Sequence, residues 1–336
     1  MSSVRVTIKQ IAEQSGLSVP TVSRILRDEG HAHQPATRER VLRVASEMGY
    51  RPNTSARAMR SGRFGAVALL QSGTDQVRSL LPPSLLNGIL ASTGAHELHL
   101  TVAALPDEQL TDRGYMPRIL REWSVDGLLI NYNTDIPEQM AGLIAHHGIP
   151  AVWINSVRDA DCVFPEDEAG GRAAAEHLLR LGHSRIAYLT PRPGHYSDEA
   201  RERGYVAAMH AAGLPPRTVL TFREEAPDGL MGALRGQDRP TALVGYNTEA
   251  TRAAFFHAIR AGLSVPGDLS LIGFSTMAGE PLGILPVDTM AHPGYEMGQR
   301  AVRMLLHKIE DPEITLPPCP VPHRLEVGET CAPPRQ

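Results

Sequence analysis

Ser18, Thr21, Ser23 and Arg24 fall close together in Ser18-Val19-Pro20-Thr21-Val22-Ser23-Arg24-Ile25-Leu26. Small hydroxyls at the start of a helix suit phosphate oxygens, because the first backbone N–H groups there have no partner within the helix. An arginine on the next turn suits a guanine edge, whose paired acceptors match a planar guanidinium. Val22, Ile25 and Leu26 share a face that should meet a small core, which leaves Val19, Pro20, Ser23 and Arg24 pointing outward. The chemistry these residues offer is contact with a DNA duplex rather than bond making.

Such a face has to be held in place by its neighbours. Thr7-Ile8-Lys9-Gln10 has the form of a capping box, after which Ile8, Ile11 and Ala12 lie on one helical face. Gly16 breaks this helix and Ser18 caps the next, where Pro20 is tolerated because it stands in the first turn. Val41, Val44, Ala45 and Met48 repeat at helical spacing in a third segment that Gly49 ends. Two short helices across a tight turn, closed by a third, make the helix-turn-helix plan. Residues 1–63 carry 11 Lys/Arg against 5 Asp/Glu, or +6, whereas the whole chain is −4, so the remainder carries −10. The attraction for nucleic acid therefore sits at one end. Charge alone would also fit a small basic domain serving some other contact; the motif favours DNA.

Three stretches carry a family resemblance: Val6-Thr7-Ile8-Lys9-Gln10-Ile11-Ala12, the Ser18 to Leu26 segment, and Gly49-Tyr50-Arg51-Pro52-Asn53. They resemble the lactose-repressor (LacI/GalR) family of bacterial transcription regulators, and the similarity continues over nearly the whole chain. The resemblance implies a DNA-binding headpiece in residues 1–50, a hinge in 51–63, and an effector-binding and dimerisation core in 64–336. Its DNA-facing residues would be Thr7, Ser18, Val19, Pro20, Thr21, Ser23, Arg24 and Tyr50, with Asn53, Met59 and Arg60 in the hinge. In the family the hinge becomes a short helix on operator DNA and a leucine wedges between bases in the minor groove. Met59 stands at that position here; it is apolar and serves as a wedge elsewhere, but its flexibility leaves the base-step preference open. By composition alone, residues 51–63 read as a solvated tether with four arginines, too short to fold unaided.

A chain of 336 residues implies two or three domains. No apolar run suggests a signal peptide or approaches the roughly 18 residues of a membrane span, so a cytoplasmic protein is expected. Cys162, Cys319 and Cys331 are scattered without paired spacing, which fits a reducing compartment and argues against a disulfide scaffold or zinc site.

From Phe64 onward short apolar runs alternate with helical stretches. The runs are Gly65–Leu70, Leu98–Leu105, Gly127–Ile130, Ala151–Ile154, Arg185–Thr190, Ala242–Gly245 and Leu269–Phe274. Helices are expected over Gly170–Leu181, Arg203–Ala212 and Ala250–Ala261. This is the rhythm of an α/β fold with parallel strands buried on both faces. The resemblance implies a periplasmic-binding-protein-like core of two doubly wound parallel-sheet subdomains, joined by three crossovers near Cys162-Val163, Met290-Ala291 and Cys319-Pro320. The N-subdomain would hold about 64–162 and 291–319, and the C-subdomain about 163–290 and 320–336. An effector should then sit in the cleft beyond the carboxyl ends of the strands.

Arg201, three residues before Gly204-Tyr205, matches the family's effector-binding arginine; a guanidinium suits paired hydroxyls or a carboxylate. Asn247 stands at the family's Asn-Asp step, where Thr248 replaces the Asp. Ser275 stands where most relatives carry an Asp that holds sugar hydroxyls, and its hydroxyl makes weaker single contacts. Asn155, Phe222, Gln71 and Trp153 are further cleft candidates, although Trp153 and Phe222 could be core. The segment Leu80–Leu86 lacks the aromatics that some relatives stack on an effector. A sugar, a sugar acid, a phosphorylated sugar or another small metabolite all fit.

No Walker loop, His-Glu-x-x-His or Gly-x-Ser-x-Gly elbow occurs. His96 with His99, and His146 with His147, read as surface pairs rather than metal ligands, so neither a cofactor nor a metal is expected. The C-terminal tail has no leucine heptad, which favours a homodimer over a tetramer. The resulting expectation is a repressor whose grip on a roughly palindromic operator is set by a small molecule. The alternatives are a solute-binding protein, or an α/β enzyme with a regulatory helical domain.

Overall fold

The computed structural model describes residues 6–27, 33–52, 58, 62–73, 80–109, 115–122, 124–132, 138–190, 196–220, 229–276, 281–282 and 285–335. Asn53, Met59, Arg60 and Phe222 lie outside the described residues. The chain divides into two compact units, Met1–Phe64 and Gly65–Gln336.

The first unit contains α1 (Ile8–Ser15), α2 (Val19–Ile25) and α3 (Pro35–Glu47). Ile11 and Ala12 from α1, Val22 and Ile25 from α2, and Val41, Val44 and Ala45 from α3 form its buried cluster. Leu26, read as a core residue, is only half-buried at the edge of that cluster, because α2 ends at Ile25.

The second unit begins with β1 (Ala66–Ser72), α4 (Pro83–Ala95), β2 (His99–Leu105), the single turn α5 (Arg118–Arg121), β3 (Gly127–Asn131), α6 (Glu138–His146), β4 (Ala151–Ile154) and β5 (Cys162–Pro165). It continues through α7 (Asp167–Arg180), β6 (Ile186–Thr190), α8 (Tyr196–Ala211), β7 (Thr218–Leu220), α9 (Leu230–Arg235), β8 (Ala242–Gly245), α10 (Thr248–Arg260) and β9 (Ser270–Ser275). The short pair β10 (Pro281–Leu282) and β11 (Leu285–Pro286) precedes β12 (Asp288–Ala291), α11 (Gly294–Glu310), β13 (Cys319–Val321) and β14 (Arg324–Glu326).

Two six-stranded sheets result, in the orders β13-β5-β4-β3-β1-β2 and β14-β12-β9-β8-β6-β7. Every pairing in them is parallel except β12 with β14. Each sheet carries one apolar cluster on each face, which is why its central strands read as short continuous apolar runs, whereas the edge strand β2 is largely exposed. This is the α/β core expected from the alternation of elements.

The chain passes between the sheets three times: after β5, after β12 and after β13. The first passage comes after Pro165 rather than at Cys162-Val163, because Cys162–Pro165 is itself a strand paired with β4 and β13. The third comes after Val321 rather than at Cys319-Pro320, because Cys319–Val321 pairs with β5 before β14 joins the other sheet. Likewise α8 starts at Tyr196 rather than Arg203. Asp198 and Glu199 occupy its first turn, where negative charge favours a helix start.

Candidate functional site

In the helical unit the second helix is held from its first residue. The Thr7 N–H donates to Gln10 Oε1 at 2.8 Å and the Gln10 N–H returns a bond to Thr7 Oγ1 at 3.4 Å, completing the capping box on α1. Gly16 ends α1 with φ 66°, a left-handed conformation that costs a glycine little. The chain then turns directly into Ser18, whose Oγ accepts the Thr21 N–H at 3.3 Å. The Ser18 and Thr21 hydroxyls are themselves 2.8 Å apart. They form a pair at the exposed helix start, with acceptor and donor capacity left for a phosphate.

Burying Val22 and Ile25 turns the opposite face outward: Val19, Pro20 and Arg24 are exposed and Ser23 is half-buried. The Ser23 carbonyl accepts Arg27 Nε at 2.8 Å, so Arg27 folds back along the helix while Arg24 does not. Tyr50 packs against the three-helix cluster and is half-buried, so much of its ring serves packing.

In the α/β unit, strand ends supply the polar residues. Asn155 follows β4, Tyr246 and Asn247 follow β8, Ser275 closes β9 and His292 follows β12. Arg201, from the middle of α8, is 8 % exposed. Its Nε donates to Asp167 Oδ1 at 2.7 Å and its Nη1 to the Tyr246 carbonyl at 2.7 Å. The guanidinium carbon lies 4.1 Å from the Phe274 ring centre and 5.1 Å from that of Tyr246, so aromatic faces replace part of its lost hydration.

Asp167 is shared. The same Oδ1 lies 3.1 Å from His323 Nε2, while Oδ2 is buried with no hydrogen-bond partner among the described residues. Burial alone would raise this carboxyl, but the Arg201 guanidinium and the His323 hydrogen bond outweigh it and hold it below the usual carboxylate range. The His323 ring meets Phe274 edge-on at 5.1 Å and lies 6.0 Å from the His292 ring. Burial pushes both imidazoles down, His292 to about 3, with the charge on Arg201 adding to the effect. Both histidines are therefore neutral at physiological pH.

Asp167 immediately follows the first crossover, His292 lies on the second and His323 on the third. Each hinge segment thus brings one ionisable side chain to a single buried group around Arg201. Two further contacts tie the sheets together: Tyr196 OH donates to Asn155 Oδ1 at 3.1 Å, and Ser84 Oγ donates to the Thr276 carbonyl at 3.5 Å. Asn155 has φ 57°, so its side chain is presented from a left-handed turn.

Of the residues singled out from sequence, Asn155, Asn247 and Ser275 stand at strand ends, and Arg201 reaches the Tyr246 carbonyl beside Asn247. The Asn247 carboxamide oxygen caps α10, accepting the Ala250 N–H at 2.8 Å. Ser275 gives its carbonyl to the His292 N–H at 2.8 Å. Gln71 is half-buried near the carboxyl end of β1. Trp153 is placed elsewhere. Alternation along β4 turns it into the apolar cluster shared with Leu128 and Ile130, and the Arg158 guanidinium covers its ring at 3.6 Å.

Asp167, Tyr196, Tyr246, Phe274, His292 and His323 were not anticipated. Their only signal in the sequence is that they sit at the ends of strands or on connections between them. Among the described residues, Asp167, His292 and His323 do not form a set of ligand atoms close enough to hold one metal ion.

Residues 7–53 match the family described as bacterial regulatory proteins, lacI family, and residues 175–331 match the periplasmic binding protein-like domain. The HTH-type transcriptional regulator DegA of Bacillus subtilis (strain 168) is 29% identical, with 88% of this chain and 89% of the relative covered. The HTH-type transcriptional repressor PurR of Vibrio vulnificus (strain CMCP6) is 27% identical, covering 91% of this chain and 93% of that one. In fold, the chain is similar to the lac repressor dimer bound to operator and the anti-inducer ONPF. The TM-score is 0.78 at 23% identity, covering 98% of this chain and 100% of that chain.

Proposed function

We propose that the chain is a transcriptional repressor of the lacI family of bacterial regulatory proteins, whose hold on DNA is set by a small molecule bound in its α/β core. The observation that carries the DNA-binding half is the outward face of α2. Its start presents a hydroxyl pair, its exposed side presents Val19, Pro20 and Arg24, and its other side is fixed in a core.

In this reading Arg24 contacts a guanine edge, Val19 and Pro20 contact thymine methyls, and Thr7, Ser18, Thr21 and Ser23 hold phosphates. Tyr50 positions the end of the headpiece. Asn53 and Arg60 support the hinge and Met59 wedges in the minor groove. Two copies form a homodimer and place two such helices in successive major grooves of a roughly palindromic operator.

The effector, a sugar or related metabolite, is held by Arg201, Asn247, Ser275 and Asn155, with Gln71 at the rim. Its contacts act on the group formed by Asp167, His292 and His323, one from each crossover, so a ligand that separates or tightens them changes the angle between the two sheets. Effector and operator must then alter each other's affinity by the same factor. In this reading the protein acts in the cytoplasm, by binding and release rather than by catalysis. Among the described residues, no helix is long and apolar enough to cross a membrane.

The test is selection of duplexes from a random pool on the purified protein, followed by anisotropy titrations at several salt concentrations with and without a metabolite panel. A selected sequence that outcompetes random duplex, with an affinity shifted by at least one metabolite, supports the proposal. Binding that depends on salt but not on sequence refutes it.

A further inference from the structure

Away from the cleft, the C-terminal tail is strapped to the second sheet through Asp288, the first residue of β12. The N–H groups of Thr330 and Cys331 donate to Asp288 Oδ2 at 2.9 and 3.0 Å, and the Thr330 hydroxyl lies 3.2 Å from the same oxygen. The Asp288 N–H returns a bond to Thr330 Oγ1 at 2.9 Å. One carboxylate oxygen is therefore saturated and the carboxylate plane is fixed.

The other oxygen, Oδ1, lies 3.3 Å from Nε2 of His177 in the last turn of α7. That nitrogen is buried and makes no well-formed hydrogen bond among the described residues. The Cys331 thiol completes the group: the three ligand atoms all lie within 4.8 Å of one another.

We propose that His177 Nε2, Asp288 Oδ1 and Cys331 Sγ bind a divalent transition-metal ion of the zinc and cobalt class. Tetrahedral coordination with bonds of about 2.0 to 2.3 Å places ligand atoms roughly 3.4 Å apart. The imidazole and carboxylate already stand at that separation, and the thiol reaches it by a shift on the order of 1 Å. A nitrogen, a sulfur and an oxygen donor select against calcium and magnesium, which take oxygen ligands.

Charge closes as well, since an M²⁺ ion with one carboxylate, one thiolate and a neutral imidazole is neutral overall, as a buried site requires. Without an ion the Cys331 thiol donates to the Leu271 carbonyl at 3.2 Å. On binding, the metal–sulfur bond replaces the S–H bond and one proton leaves to solvent, while a water fills the fourth position. The hydrogen bonds on Asp288 Oδ2 are the outer shell that holds the ligand in orientation. His177 lies roughly 15 Å along α7 from Asp167, so the ion would pin the tail to this helix without entering the cleft.

The experiment uses untagged full-length protein, freed of metal by chelator and titrated with Co²⁺. One equivalent should bind with a thiolate-to-cobalt charge-transfer band and tetrahedral visible bands, release one proton, and be displaced by Zn²⁺. Cys331→Ser should abolish the charge-transfer band, and His177→Gln should weaken binding by more than about tenfold. Should either variant fail to fold, alkylation of Cys331 in the native protein, read by mass spectrometry, must slow when Zn²⁺ is added. The proposal is overturned by the absence of a charge-transfer band, by a band that survives in Cys331→Ser, or by Zn²⁺ leaving Cys331 alkylation unchanged.

Discussion

Arg201 Nε and Asp167 Oδ1 meet at 2.7 Å with both side chains buried, which joins the middle of α8 to the first residue of α7 beside a crossover. Neither charge has bulk solvent to fall back on. Asp167→Asn keeps the shape and removes the balancing charge, and breaking such a buried pair costs about 3 to 5 kcal/mol. A lower urea midpoint at unchanged slope is the expected readout. A loss below about 1 kcal/mol would mean that the guanidinium is already balanced by other groups.

The histidines of the hinge make stability depend on pH in one direction. The His292 imidazole is held at about 3 by burial, with His323 and Arg201 adding to the effect and Asp167 opposing it. In the unfolded chain the ordinary value is about 6.5. Between these values the unfolded state takes up a proton that the folded state refuses. Stability is therefore complete above about pH 6.5 and is lost as pH falls toward about 3. His323, lowered chiefly by burial, acts in the same sense. Asp167, held low by Arg201 and His323 against its burial, adds its loss only below the usual carboxylate range. For His292 the unfolding free energy should fall by about 1.4 kcal/mol per pH unit between about pH 6 and pH 4. Denaturant titrations across that range should show a shallower slope in His292→Gln; an unchanged slope would remove His292 from the account.

Arg24→Ala should weaken binding to a selected duplex by about 1 to 3 kcal/mol, and should relax base preference at one step of each half-site. Thr21→Ala, by contrast, should weaken all duplexes evenly, because a phosphate contact carries no sequence information. Competition against single-base variants of the duplex separates the two. An Arg24→Ala protein with its full base preference intact would show that another residue reads that step.

Asn247 is read as having two roles, and two substitutions separate them. Asn247→Ala removes the cap accepting the Ala250 N–H, and should lower stability by about 1 kcal/mol. Asn247→Asp keeps a capping oxygen, so it should restore stability while still impairing the metabolite response of DNA binding. If both properties recover together in Asn247→Asp, the residue acts only as a cap.

Whatever rests on near neighbours along the chain could be read from residue order alone. The helical headpiece could be read because Thr7 with Gln10, and Ser18 with Thr21, close their hydrogen bonds within one turn. The positions of Val22 and Ile25 follow from helical period. The parallel α/β core could be read because strands covered on both faces must be short apolar runs. Tertiary structure decided what depends on distant pairing. Whether Cys162–Pro165 lies in the first sheet is a matter of its neighbours β4 and β13, and no local pattern reports it. Trp153 went to the core and not the cleft because pairing set which face of β4 looks outward. Asp167 and His323 stand 156 positions apart and share a proton-bearing contact only because two crossovers return to one hinge. His177, Asp288 and Cys331 carry no spacing signal at all; a helix end, a strand start and a tail converge on them once the second sheet is formed. Hydrogen bonds and hydrophobic period act over a few residues, whereas ion pairs and ligand sets form only where packing brings remote segments within a few ångströms.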